Sequence, residues 1–176
     1  MRKLLAQAIG SGLLLACVLV PRSSAADVTL FAGIQNPGKL TVNNLVRETK
    51  LGGVFGARFG AGRVVGFEQT LAFSPNFLES GRRAFNTQSN LQIGIPAGRV
   101  VPYLTAGIGL IATYGEFRNL GDIGTKFTIN YGGGFKLRNL AGPLGVRFDI
   151  RGYSVPGVFS QTLNFVEGTA GLLFTF

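Results

Sequence analysis

A chain of 176 residues that is 46% apolar, 14% charged and +9 at neutral pH, with a mean hydropathy of +0.32, is too greasy for a disordered tail or a basic histone-like protein and too short for a multidomain enzyme. The absence of histidine removes the commonest general base and metal ligand. A single cysteine, Cys17, builds neither a disulfide framework nor a Cys/His zinc site, so neither a metal nor a cofactor is expected.

Met1, Arg2 and Lys3 form a positive start, residues 4–20 an uncharged apolar run, and Ser23, Ser24, Ala25 and Ala26 offer the small residues a signal peptidase needs. Residues 1–26 are therefore expected to be a cleaved signal peptide, cut after Ala25 or Ala26, and 27–176 the mature domain. Two alternatives stay open. An uncleaved anchor is opposed by a run that is short for about 30 Å of hydrocarbon and holds Gln7, Gly10 and Gly12. Lipidation at Cys17 is suggested by Leu14, Leu15, Ala16, Cys17, but apolar Val18, Leu19 and Val20 follow where a polar tether is usual. Each route exports the chain. Loss of Arg2, Lys3 and Arg22 takes the 17 basic residues to 14 against 8 acidic, a net +6, and an exported chain of that charge is not expected to bind nucleic acid.

From Asp27 onward apolar residues recur with period two and nowhere keep helical spacing, and the 27 glycines, each costing a helix interior roughly 1 kcal/mol, point the same way. Eight strands are expected, at 27–35, 49–59, 64–73, 85–95, 100–113, 125–138, 144–153 and 164–176. The connections at 60–63, 96–99 and 139–143 are short, and those at 36–48, 74–84, 114–124 and 154–163 are long. A soluble meander has no reason to put every short turn at one end, whereas a membrane barrel has tight periplasmic turns and longer external loops. Ala61, Gly62, Arg63, Val64, Val65 recur as Ala97, Gly98, Arg99, Val100, Val101, with a weaker echo in Ala141, Gly142, Pro143, Leu144, each on a short turn.

The segment 125–138 shows the alternation most clearly, with Phe127, Ile129, Tyr131, Phe135 and Leu137 on one face and Lys126, Thr128, Asn130, Lys136 and Arg138 on the other. Across all eight segments the apolar parity carries no charge, while the opposite parity holds Arg58, Glu68, Lys126, Lys136, Arg138, Arg147, Asp149, Arg151 and Glu167. A soluble lipocalin-like binding barrel would turn the apolar face inward. Phe55, Phe59, Phe67, Phe73, Leu104, Ile108, Leu110, Phe127, Tyr131, Phe135, Phe148, Phe174 and Phe176 would overfill an eight-stranded interior, so the apolar face is expected outward against lipid. Arg147, Asp149 and Arg151 then share the inner face, with Arg58, Glu68 and Glu167 in reach across a narrow barrel. Buried charges must pair, so a lumen plugged by salt bridges is expected. The alternative is a narrow passive pore, which six basic against three acidic residues would make anion-preferring.

The last segment places Thr169, Gly171, Phe174 and a final Phe176 in a pattern that looks like the signal by which bacterial outer-membrane barrels reach the barrel-assembly machinery. With Val101, Pro102, Tyr103, Leu104, Thr105, Ala106, Gly107, Ile108, Gly109 and the segment 131–136, the whole mature region resembles the small eight-stranded outer-membrane β-barrel family typified by the amino-terminal domain of OmpA and by OmpX and OmpW. The resemblance implies an eight-stranded antiparallel transmembrane up-and-down barrel in the cell outer membrane, lipid and lipopolysaccharide around it, and a structural or surface-interaction role. With the sequence read to Phe176, the peptidoglycan-binding domain that OmpA carries after its barrel is not expected, and tethering to the cell wall is not inferred. Barrel enzymes of the outer membrane resemble one another in using a catalytic histidine, which this chain lacks, so it is expected not to be an enzyme.

Two motifs only look like chemistry. Gly33 to Lys39 spells GxxxxGK, but Leu40 replaces Ser or Thr and no helical pattern follows to supply the amide nest. Gly132, Gly133 and Gly134 lie inside a strand, where they relieve crowding. The long loops hold Arg47, Arg82, Arg83 and Arg118, expected to be solvated, and Phe77, Tyr114, Phe117 and Phe159 near their bases, expected to form an interfacial aromatic girdle.

Overall fold

The computed structural model describes residues 26–37, 40–42, 45–47, 51–78, 81–114, 124–158 and 161–176. Among the described residues the alternating sequence gives ten strands: β1 (Ala26–Pro37), β2 (Leu40–Val42), β3 (Leu45–Arg47), β4 (Gly52–Gly62), β5 (Val65–Ser74), β6 (Arg83–Gly94), β7 (Val100–Tyr114), β8 (Thr125–Ala141), β9 (Leu144–Val158) and β10 (Gln161–Thr175). Eight close into one antiparallel barrel in the order β1-β10-β9-β8-β7-β6-β5-β4, with β4 returning to β1, while β2 and β3 form a separate hairpin. Closure pairs the strand edges an open sheet would expose. Residues 1–25, Cys17 among them, lie outside the described residues, and Ala26 already opens β1.

The three tight turns share one backbone requirement. Gly62, Gly98 and Gly142, the glycines of the repeat, sit at φ of +122°, +65° and +61°, where a side chain is strained. The repeat therefore records the need for a positive-φ glycine at each tight turn, met with near-equal φ at Gly98 and Gly142 and a wider one at Gly62. At the opposite end, the loop expected at 154–163 is largely paired strand: β9 runs to Val158 and β10 starts at Gln161, with a register shift between Gln161 and Leu163. Pro156 and Gly157 read as a break in the sequence, but the irregular pairing there absorbs them without ending the sheet. The GxxxxGK run begins inside β1 and is followed by β2, a strand where a phosphate loop needs a helix.

The two faces of the sheet are inverted relative to a water-soluble domain. Outward, Leu104 is 72% exposed and Ile150 68%, and Phe135 packs on Phe148 at 5.1 Å between ring centres. Inward, Arg58, Glu68, Arg147, Arg151 and Glu167 are fully buried. Apolar area of this extent left in water is rare on a soluble monomer and ordinary against hydrocarbon.

The interior is not polar throughout. Toward the loop end Phe77, Leu78, Ala84, Ile111, Tyr153, Val155, Val158, Leu163 and Phe165 form a buried apolar cluster, Phe165 stacking on Tyr153 at 4.6 Å and meeting Phe77 edge-on at 5.6 Å. Phe77 thus lies inside the barrel and not in an outer girdle, because the segment after β5 folds inward, held by a Phe77 N to Arg82 O hydrogen bond of 2.8 Å. Arg82 is likewise buried where a solvated loop cation is expected. Arg83 and Tyr114 are exposed; Phe117, Arg118, Phe159 and the side chain of Arg47 lie outside the described residues.

Candidate functional site

Period-two geometry sends Arg147, Asp149 and Arg151 of β9 into the lumen side by side, and the curvature of a small barrel brings every other strand within reach of them. Asp149 is the hub. It accepts from Arg58 Nη1 at 2.8 Å, from Arg147 Nε and Nη2 at 2.9 and 3.0 Å, from Arg151 Nη2 at 3.0 Å and from the Tyr103 hydroxyl. Glu68 is the second centre, paired with Arg147 Nη1 at 2.5 Å and Arg151 Nη2 at 2.7 Å and accepting from Gln92 Nε2 at 2.7 Å. Glu167 takes Arg58 Nη2 at 3.1 Å and Gln35 Nε2 at 2.9 Å. Toward the turn end Asp27 takes Lys136 Nζ at 2.7 Å and Arg138 Nη2 at 3.2 Å, and Lys136 also donates to Gln92 at 3.1 Å.

Aromatic rings carry part of the cationic load. The Arg58 guanidinium lies 3.9 Å from the centre of the Phe31 ring, and that of Arg147 4.8 Å from the Tyr103 ring. A layer of amides continues the network on the β6 to β8 side: Asn130 Nδ2 donates to Gln88 at 2.8 Å and to Asn90 at 2.7 Å, and Gln88 donates to Asn86 and Thr128. Space for the large side chains comes from inward glycines. A Cβ on Gly134 would stand 2.8 Å from the Tyr103 hydroxyl, and one on Gly107 only 2.1 Å from Asn90 Oδ1.

The structure thus brings Arg58, Glu68, Lys136, Arg147, Asp149, Arg151 and Glu167 into one connected cluster. Lys126, at the loop end of β8, takes no part in its ion pairs. The assembly-signal residues divide between faces: Thr169 points inward and accepts from Arg58 Nη1 at 3.0 Å, Gly171 shares its parity, and Phe174 and Phe176 point outward, Phe176 being 78% exposed. Asp27 and Tyr103 complete the cluster and are missing from the sequence-derived set, as are the amides. All share the inward parity of their strands, and following every polar residue on that parity, rather than the charges alone, would have found them. Asp27 supplies a fourth carboxylate against the five cations Arg58, Lys136, Arg138, Arg147 and Arg151, so the network is close to neutral.

Chemically, each carboxylate of the network is occupied by at least one cationic donor, and three guanidinium groups surround Asp149. The arrangement suits holding a lumen together, since removing one member of a buried pair costs about 3–5 kcal/mol.

A closed antiparallel up-and-down barrel of eight strands is the fold of the small outer-membrane β-barrels. No family model matches the chain, and no curated protein matches it in sequence. Among solved structures it is similar to Neisserial surface protein A at a TM-score of 0.66 and 11% identity, covering 87% of this chain and 97% of that one. It is similar to the N-terminal β-barrel domain of Pseudomonas aeruginosa OprF at 0.60 and 13%, covering 86% and 97%, and to the outer membrane enzyme PagL at 0.50 and 15%, covering 84% and 98%. At these identities the likeness is one of fold. That fold serves an enzyme as well as other proteins, so function has to be argued from the site.

Proposed function

We propose that the protein is an integral outer-membrane barrel with a structural or surface-interaction role in the cell envelope, its lumen plugged by the salt-bridge network and performing no catalysis. The observation that carries this is the pairing of fully buried charges across the lumen beneath an apolar cluster: an ion would have to part Arg58, Arg147 and Arg151 from Asp149 and Glu68 and then cross Tyr153, Phe165 and Phe77. Of the expected signal 1–26, residues 1–25 serve as the export signal, the cut falling after Ala25, the earlier of the two expected points, a choice supported by the pairing of Ala26 in β1; the barrel follows to 176. The outward Leu, Ile and Phe side chains take membrane lipid and lipopolysaccharide as their solvent, and Thr169, Gly171, Phe174 and Phe176 are read by the barrel-assembly machinery. The lack of histidine and the occupied carboxylates support a non-enzymatic role.

Reconstituted in planar bilayers, the protein is expected to give no discrete current steps. Stable steps with anion selectivity would overturn the plugged lumen in favour of a passive channel. Membrane fractionation is expected to leave the protein in the outer membrane after urea extraction, and release into the soluble fraction would overturn the integral barrel.

A further inference from the structure

At the turn end of the barrel a small recess opens to solvent, lined by Arg63, Gln92, Tyr103, Lys136 and Arg138. Three of these are cations, and the carboxylate that faces them, Asp27, is already shared between Lys136 and Arg138. Arg138 Nε is buried without an acceptor, and Arg63 has no ion pair among the described residues. Arg99 stands beside them on the next turn, its carbonyl accepting from Arg138 N at 2.8 Å, and its guanidinium too is unpaired among the described residues. Arg63 and Arg99 occupy the same position of the repeated turn sequence, each directly after a positive-φ glycine, Gly62 at +122° and Gly98 at +65°, and both are exposed, without an ion pair among the described residues. Four cations against one carboxylate leave a local surplus that the rest of the lumen, near neutrality, does not have.

The inner space admits about one water-sized atom, so a ligand enters by a single atom and keeps its remainder at the mouth. Guanidinium groups on two turns and a strand suit a tetrahedral oxyanion, whose oxygens diverge, better than a planar carboxylate that one fork saturates. Val64 and Ile95, 54% and 71% exposed within the turns themselves, extend the apolar outer surface down to the level of these arginines.

We propose that the turn-end recess binds a phosphate-type oxyanion, one oxygen inserted beside Arg138 and the others met by Arg63 and Arg99. Its source is either free phosphate or the phosphodiester of a phospholipid headgroup. Only the headgroup source rests on the outer-membrane reading; the oxyanion site does not.

The test uses the full chain folded in maltoside detergent, with the amide signals of Gly62 and Gly94 followed by NMR during titration with inorganic phosphate and, separately, with dioctanoyl phosphatidylglycerol. Saturable shifts at these glycines are expected, weakened about fivefold by Arg63→Ala and by Arg99→Ala, the effect of one exposed charge contact, and unaffected by Arg83→Ala at the other end. Both arginines are exposed turn residues, and gel mobility verifies that each variant is folded. Response to phosphate and lipid alike assigns a general oxyanion site, and response to the lipid alone assigns a headgroup site. No saturable shift in either arm, or shifts that the Arg63 and Arg99 variants leave unchanged, would overturn the proposal. Fractionation placing the chain outside the outer membrane would remove the headgroup source and leave the phosphate arm standing.

Discussion

Asparagine in place of Asp149 removes one negative charge from beneath three guanidinium groups while keeping the side chain's size. Arg58, Arg147 and Arg151 approach that carboxylate at 2.8–3.0 Å, and its side chain is 1% exposed, so water does not replace the lost charge. Glu68 still holds Arg147 and Arg151, and Glu167 still holds Arg58, which places the loss toward the lower part of the roughly 3–5 kcal/mol expected on breaking a buried pair. With a denaturant slope of about 1–3 kcal/mol per molar urea, the unfolding midpoint falls by about 1–3 M. Urea titration in detergent micelles, with the folded fraction read from heat-modifiable gel migration, measures it. Raising the salt concentration is expected to leave the parent midpoint in place, because screening acts on exposed charges. The double variant Arg58→Gln with Asp149→Asn is expected to lose less than the two single losses together, by about 1–3 kcal/mol. A midpoint for Asp149→Asn indistinguishable from the parent's would refute the reasoning.

Ile108→Arg, on the outward face in the middle of β7, is expected to destabilise the barrel in vesicles by about 2–4 kcal/mol, measured by the same titration, with Ile108→Ala well below that. Gly98→Ala forces a side chain into φ of +65° and should cost about 1–2 kcal/mol, whereas Arg99→Ala beside it should cost almost nothing; thermal melts of the pair separate backbone geometry from charge. Phe176→Ser is expected to lower the amount of barrel assembled in outer membranes without changing its midpoint after refolding in micelles, and equal loss in both assays would count against a recognition role for that residue.

The strand parity was legible because a sheet with lipid on one side and charge on the other leaves the cleanest alternation a sequence can carry, and both Phe55 and Arg58 could be assigned a face by counting. Loop boundaries were less legible. Pro156 and Gly157 interrupt the alternation locally, but the apolar pairs Tyr153, Val155 and Leu163, Phe165 reward continued pairing inside the barrel, a tertiary gain that no short window displays. Phe77 was misplaced for the same reason: an aromatic at a loop base suits the interface or the lumen equally well, and only the inward fold of its segment decides. Asp27 escaped notice because it stands next to the expected export segment, where composition describes processing more than architecture.

The polar network recruits a side chain from each of the eight barrel strands: Asp27, Arg58, Glu68, Gln92, Tyr103, Lys136, Asp149 and Glu167 come from β1, β4, β5, β6, β7, β8, β9 and β10 in turn. The links span 83 residues between Glu68 and Arg151, 91 between Arg58 and Asp149, and 109 for both Arg58 to Glu167 and Asp27 to Lys136. No hairpin or half-sheet can satisfy them. A partly wound sheet keeps Arg147 and Arg151 on Asp149 of their own strand but leaves Arg58, Glu68, Glu167, Asp27 and Lys136 short of the ion-pair partners that closure supplies, a state tolerable in water and costly in hydrocarbon. The cost of stranded charge in hydrocarbon therefore falls most heavily on arrangements with a strand missing or out of register, and the closed ring is the one in which these long-range pairs are all made.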